Sequence, residues 1–308
     1  MRPIVVFGGL LMDITFEIPR WPQPNESDVL YATQITQSPG GKGLNQSVGA
    51  CRLGAEVILV GCVGADTPGR AILETLEHEK VNTDLIEVRS IATTGTVGIL
   101  LHDSKPTYIA NQGASTLVSD AQIEKAATAI GPDTIVLVNH ELPQAIVAEA
   151  LRVAKARGAT TILNPGPLAP WIADVPYLPL VDYLIPNFSE AQAILNSRGT
   201  EPETLLRDIL GRGVGATCIT LGDRGCIFAE KSSPDRVIRE PALPVEVVDT
   251  TGAGDAFCAA WAVGIAEGWS REVCVKFGVA ASGKACTVRG SMIAMPYRQE
   301  VEGIEKNI

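Results

Sequence analysis

The chain has 308 residues, 46% of them hydrophobic and 19% charged, a balance that fits a packed α/β protein and excludes a disordered one. A formal charge of −10 and a pI near 4.9 argue against a nucleic-acid binder, which needs a broad basic face. Seven cysteines without a CxxC pair and three histidines (His78, His102, His140) without ligand spacing argue against a disulfide scaffold or a structural zinc site. The apolar run from Ile4 to Leu11, interrupted by Asp13, is too short for a signal peptide or a membrane span, so a cytoplasmic protein is expected.

In chain order, a β-branched strand at residues 4–7 is followed by a segment of about 14–38 that reads as an antiparallel strand pair. Its halves are Ile14 to Ile18 and Val29 to Thr36, separated by a Pro-rich turn. A helix at 43–53, a strand at 57–60 and a helix at 68–79 come next. Residues of about 93–112 read as a second pair, with strands at 96–101 and 107–109. The remainder alternates: helix 121–130, strand 134–138, helix 143–157, strands 160–163 and 183–185, helices 189–195 and 203–210, strand 218–221, then helices 256–267 and 271–285. Ser232-Ser233-Pro234-Asp235 reads as a hairpin turn. Short buried strands alternating with longer helical runs imply βαβ units, hence a mostly parallel sheet with helices on both faces. One domain over residues 1–308 is expected. The two helix-free segments would form a small β lid over the carboxyl edge, where open α/β sheets bind ligands.

The motif richest in chemistry is Asp249-Thr250-Thr251-Gly252-Ala253-Gly254-Asp255-Ala256-Phe257, a glycine turn leading into an apolar helix. Backbone N–H groups of Gly252, Ala253, Gly254 and Asp255 at a helix N-terminus make an anion site. Asp255 beside it is placed to take the proton of an attacking hydroxyl, which is the chemistry of phosphoryl transfer. The plainer reading is a glycine turn with a helix-start aspartate. A second cluster, Pro39-Gly40-Gly41-Lys42-Gly43-Leu44-Asn45-Gln46, also opens a helix but lacks the GxxxxGK[ST] spacing of a Walker A loop. Lys42 there can neutralise an anion and Asn45 can bind a hydroxyl, or the segment is a tight turn with a solvent lysine. Gly8-Gly9 before Asp13 lacks the GxGxxG of a dinucleotide site, so Asp13 is read as an acceptor for vicinal hydroxyls or as a loop carboxylate. Asn187-Phe188-Ser189-Glu190 and Thr220-Leu221-Gly222-Asp223-Arg224-Gly225 each follow a strand, where a nucleotide would lie across the sheet edge; each could equally be an N-cap or a turn.

With Gly40-Gly41-Lys42-Gly43-Leu44-Asn45 near one end and Asp249 to Asp255 near the other, the chain resembles the ribokinase (PfkB) family of sugar and nucleoside kinases, from the first strand to about Pro296. The resemblance implies a three-layer α/β/α sandwich with a β lid, and a kinase that moves the γ-phosphoryl group of ATP to a primary hydroxyl of a small sugar, a pentose. A nucleoside kinase of the same family and a non-catalytic sugar- or nucleotide-binding regulator are the alternatives. By the same resemblance Asp255 is the base and Gly252, Ala253 and Gly254 form the anion hole. Asp13, Gly41, Lys42, Asn45 and Glu141 hold the sugar with Asp255. Asn187, Thr220, Gly222, Gly225 and Gly254 line ATP, and Glu190 orders Mg2+ through water. Asp249, Thr251, Ala285, Val288 and Gly290 would hold a monovalent cation such as K+. Three departures bear on specificity: Leu11 where ribokinases place an asparagine, Val279 near the adenine, and Ala294 near the cation. Leu11 suits a sugar lacking one hydroxyl, such as a deoxypentose, or a different ring altogether. The exposed faces of a two-sided flap imply a homodimer through the lid, with no nucleic-acid or membrane partner.

Overall fold

Runs apolar on both faces become central strands, and the longer amphipathic runs between them become the helices that cover the sheet. The computed structural model describes residues 1–25, 27–103, 105–167 and 175–305. The order is β1 (Ile4–Phe7), β2 (Leu11–Glu17), β3 (Gln34–Gly40), α1 (Lys42–Arg52), β4 (Val57–Gly64), α2 (Thr67–His78), β5 (Asn82–Arg89), β6 (Thr94–His102), β7 (Lys105–Gly113), α3 (Asp120–Ala127), β8 (Ile135–Asn139), α4 (Gln144–Ala156) and β9 (Thr160–Asn164). It continues with β10 (Tyr183–Leu184), α5 (Phe188–Ile194), α6 (Pro202–Gly211), β11 (Ala216–Thr220), β12 (Cys226–Glu230), β13 (Ser233–Glu240), α7 (Ala253–Ala266), α8 (Arg271–Ala285) and α9 (Arg298–Glu305).

The main sheet has nine strands in the order β13-β12-β11-β10-β9-β8-β1-β4-β5. The run from β5 to β11 pairs in parallel, and β12 and β13 close it antiparallel. Alternation along each strand feeds two cores. Ile4 and Val6 of β1 join the layer with α1, α7 and α8, while Val5 and Phe7 join the layer with α3, α4 and α6. From β1 the sheet grows one way through β4 and β5, then the other way from β8, so β1 and β8 flank the topological switch point where such folds bind ligands. Helix α7 is buried on every side from Asp255 to Ala266. Its Trp261 lies among Tyr183, Phe228 and Phe257.

A second sheet, β3-β2-β6-β7, is made by the two helix-free segments. Glu26 and Ser104 within them lie outside the described residues. Both segments pair antiparallel within themselves, but β2 and β6 join them in parallel, with Asp13 opposite Val97. The structure corrects several boundaries. Strand β3 runs from Gln34 rather than Val29, because its ladder ends where Glu17 meets Gln34, leaving Val29 and Tyr31 beyond it and exposed. Asp13 lies inside β2, not in a loop after β1. The β12–β13 connection is the tight pair Lys231-Ser232, since Glu230 faces Ser233, so Ser233, Pro234 and Asp235 belong to the strand. Pro234 is tolerated because β13 is an edge. Helix α3 stops at Ala127, after which Thr128 and Ala129 wind into turns. Strands β5, β12 and β13 and helix α9 were not expected from the sequence. Among the described residues no helix is long and apolar enough to cross a membrane. The seven cysteines are all free.

Candidate active site

Two helices that start on glycine face each other at the carboxyl edge of the sheet. Helix α7 has Gly252 as its N-cap, in the left-handed region at φ 83, where a Cβ would also fall 3.0 Å from Ser291 O. Ala253 N–H turns back to Thr250 O at 3.2 Å, a correction to the expectation that four amides converge. Among the described residues, the N–H groups of Gly252, Gly254 and Asp255 have no protein acceptor. A Cβ at Gly254 would meet no atom within 4 Å, so the backbone there is open to close approach.

Asp255, in the first turn of α7 and only 5% exposed, is gripped by α1. Asn45 Nδ2 donates to its Oδ2 at 2.9 Å, Gln46 Nε2 to its Oδ1 at 3.0 Å, and Lys42 Nζ approaches Oδ1 at 3.3 Å. Among the described residues Asn45 Oδ1 is buried without a hydrogen-bond partner, an acceptor left unused by the protein. Helix α1 begins after Gly41, at φ 89, and its Lys42 N–H donates to Glu141 Oε2 at 2.6 Å. Burial disfavours the Lys42 ammonium, but the carboxylates of Asp255, Glu190 and Glu141 outweigh it and raise the group above its ordinary value. Burial pushes Glu141 up to about 7, against the pull of Lys42 and with help from Asp255. It pushes Asp13 up to about 6, partly offset by Ser291 Oγ, which donates to Asp13 Oδ2 at 2.9 Å. Asp13, Glu141 and Asp255, with the half-buried Lys42 ammonium beside them, therefore gather in a small space, suited to accepting hydroxyl protons in hydrogen bonds.

The other expected positions fall into two groups. Asn187 caps α5, taking Glu190 N–H on Oδ1 at 2.8 Å while Glu190 Oε2 takes Asn187 N–H at 2.8 Å. Asn187 also bridges to Thr220, which ends β11, and the turn after it carries Gly222 and Gly225 at positive φ. Glu190 is raised by burial, opposed by Lys42, and so reaches the site electrostatically. One of its oxygens is committed to the cap, and the other lies against Gly166, where a Cβ would fall 2.2 Å from Oε1. The second group gathers on Asp249. Its Oδ1 accepts Thr251 N–H at 2.9 Å and Thr251 Oγ at 2.7 Å, and its Oδ2 accepts Gly290 N–H at 2.9 Å. Ala285 and Val288 are joined by a 3.2 Å backbone bond, and Cys286 O between them accepts Asp249 N–H at 3.2 Å. Among the described residues no cluster of three or more His, Cys, Asp or Glu could hold a metal.

Between the small sheet and these loops lies a cavity of about 180 Å³, lined by Asp13, Thr15, Ser38, Ile99, Asp249 and Ser291. Arg289 closes its rim with an ion pair to Glu17 at 2.6 Å. Tyr108 of β7, about half exposed, stands near Thr251; its partial burial raises its hydroxyl, and Thr251 opposes the rise. Sequence reasoning assigned no role to Gln46, Asn139, Asn164, Ser291 or Tyr108. For Asn139 and Asn164 the available signal was an asparagine closing each of two short buried strands, Val138-Asn139 and Leu163-Asn164.

The fold has counterparts among known proteins. The family model described as "pfkB family carbohydrate kinase" matches residues 1–298. The chain belongs to the pfkB family of carbohydrate kinases. It is therefore a phosphotransferase with an alcohol group as acceptor. Ribokinase of Bacillus subtilis (strain 168) is 34% identical over 302 residues, covering 98% of this chain and 99% of that one. The structure of Arabidopsis thaliana ribokinase complexed with ribose and ATP superposes with a TM-score of 0.87 at 29% identity, covering 99% of each chain. A Methanocaldococcus jannaschii nucleoside kinase, an archaeal member of the ribokinase family, superposes at 0.81 with 21% identity, covering 100% of this chain and 99% of that one, and shares the fold.

Proposed function

We propose that this protein transfers the γ-phosphoryl group of ATP to a hydroxyl of a pentose, with Asp255 as general base. The observation that carries the reading is the placement of Asp255 beside the open amides of Gly254 and itself, at the start of a rigid helix. In the step, the acceptor O–H proton passes to Asp255, the acceptor oxygen bonds to the γ-phosphorus, and the bond from that phosphorus to the bridging oxygen breaks to release ADP. The amides of Gly252 and Gly254 stabilise charge on the transferring group without having to reorganise. Asp13, Glu141 and Asn45 orient the acceptor, with Gly41 and Lys42 at its reacting end. Asn187, Thr220, Gly222 and Gly225 line the nucleotide. Magnesium, held through water by Glu190, would neutralise phosphate charge; K+ would sit with Asp249, Thr251, Ala285, Val288 and Gly290.

The substrate is refined by Leu11. It is 2% exposed and packs over Gly95 of β6, where a Cβ would fall 2.2 Å from Leu11 Cδ2, so it offers the acceptor no hydrogen bond. A pentose lacking one hydroxyl, such as 2-deoxyribose, fits this wall better than ribose. Val279 and Ala294, both buried, leave the adenine and cation contacts with fewer polar partners. Association as a homodimer is supported by exposed Ile35 on β3 and Ile109 on β7, the two edges of the small sheet, and by exposed Val29 and Tyr31 in the segment before β3. A monomer by light scattering at micromolar concentration would remove that part. A cytoplasmic setting agrees with the free thiols. The deciding experiment measures ADP release with ATP and magnesium across ribose, 2-deoxyribose, hexoses and nucleosides, with and without K+. A pentose, with 2-deoxyribose ahead of ribose, is expected; turnover confined to nucleosides would replace the reading.

A further inference from the structure

We infer that Gln46 is a positioning residue that dictates which oxygen of Asp255 receives the proton. The inference rests on Asp255 being the base and concerns a network not otherwise used. Gln46 is fully buried in α1, and its amide touches three side chains. Nε2 donates to Asp255 Oδ1 at 3.0 Å and to Asn164 Oδ1 at 3.3 Å, and Oε1 accepts from Asn139 Nδ2 at 3.4 Å.

The sense of this amide is fixed from outside. Asn139 Oδ1 accepts the backbone N–H of Glu141 at 3.3 Å, so its Nδ2 must face Gln46. Asn164 Nδ2 donates to the backbone carbonyl of Ile185 at 2.9 Å, so its Oδ1 must face Gln46. Two backbone anchors at the carboxyl ends of β8 and β9 thus leave Gln46 one orientation, with its N–H2 toward Asp255. Oδ1 then receives both Gln46 and Lys42, which occupy its two lone-pair directions. Oδ2 receives Asn45 alone and keeps one direction open. The acceptor proton therefore goes to Oδ2, and the network holds that lone pair in place before substrate arrives.

The test compares Gln46→Met, which keeps the length and loses the donor, with Asn139→Asp. The latter sets an acceptor against Gln46 Oε1 and so favours the flipped amide, with oxygen toward Asp255, while Asp255 and Gln46 stay intact. Each should lower kcat by about tenfold or more, a part of the roughly 10²-fold that a misplaced acid–base group can cost, with the Kd for the acceptor sugar changed less than about threefold. In an Asp255→Asn background, Gln46→Met should have no further effect on residual turnover, because the residue acts only through that carboxylate. Normal kcat in a Gln46→Met protein that melts like the wild type overturns the inference. So does a loss of the same size in both backgrounds, or a parallel loss of acceptor binding. If Gln46→Met fails to fold, Asn139→Asp carries the test alone, with normal kcat as the overturning result. Undiminished turnover by Asp255→Asn itself would instead overturn the assignment of the base.

Discussion

The N-termini of α1 and α7 are alike in sequence and opposite in use. Both follow glycines, both have a glycine N-cap at positive φ, and neither has a side-chain cap of its own. At α1 the first amide is taken by Glu141, a carboxyl group from 99 residues away in the chain. At α7 no described protein group takes the amides of Gly254 and Asp255. A glycine turn before a helix is thus only a capacity for anions, and the tertiary fold decides whether the protein fills it or leaves it to a substrate.

The comparison is broken most severely by removing the group that works at the open end. Asp255→Asn should reduce turnover by at least about 10²-fold while acceptor binding, measured by calorimetry, changes little. Next, Glu141→Gln weakens the filled end, and acceptor Kd should rise by about tenfold or more, since a hydrogen bond to a charged group is worth about 1.5–3 kcal/mol. Glu141 also sharpens the contrast through pH. Its carboxyl is raised by burial from 4.5 to about 7, so its contribution to folding is full below about pH 4.5 and is lost as pH rises through 7. The melting temperature of the ligand-free protein should therefore fall more steeply between pH 5 and 8 than that of Glu141→Gln. Acceptor hydroxyls need ionised partners, and Asp13 titrates near 6, so acceptor affinity should increase from pH 5.5 to 7.5 with release of protons on binding. The smallest effect is expected at the cation loop: Asp249→Ala should abolish a few-fold stimulation by K+, and equal stimulation in the variant would exclude that loop as the cation site.

Much of the fold was legible because both faces of the central strands are buried, so β1 and β8 read as apolar runs and β9 as a short β-branched and apolar one. Strand β5, with Asn82, Asp84 and Glu87 at the sheet edge, and β13, with Pro234, Asp235 and Arg236, carry the polar residues that edges tolerate, and that hid them. The glycine motifs exposed the two helix starts. What they could not expose was the buried amide network: Gln46 looks like any polar helix residue until Asn139, Asn164 and Asp255, up to 209 residues away, surround it. Nor could a pattern show that β2 and β6 join in parallel, since that seam depends on how two distant hairpins meet.

The burial of α7 on all sides has a consequence for when the base can be lost. Its backbone amides from Ala256 onward should be among the slowest in the protein to exchange with deuterium, exchanging only on global unfolding, whereas those of β3 and β7, at the edges of the small sheet, should exchange through local opening. The small sheet can then fray and re-form many times while Asp255 stays mounted on the last part of the molecule to come apart.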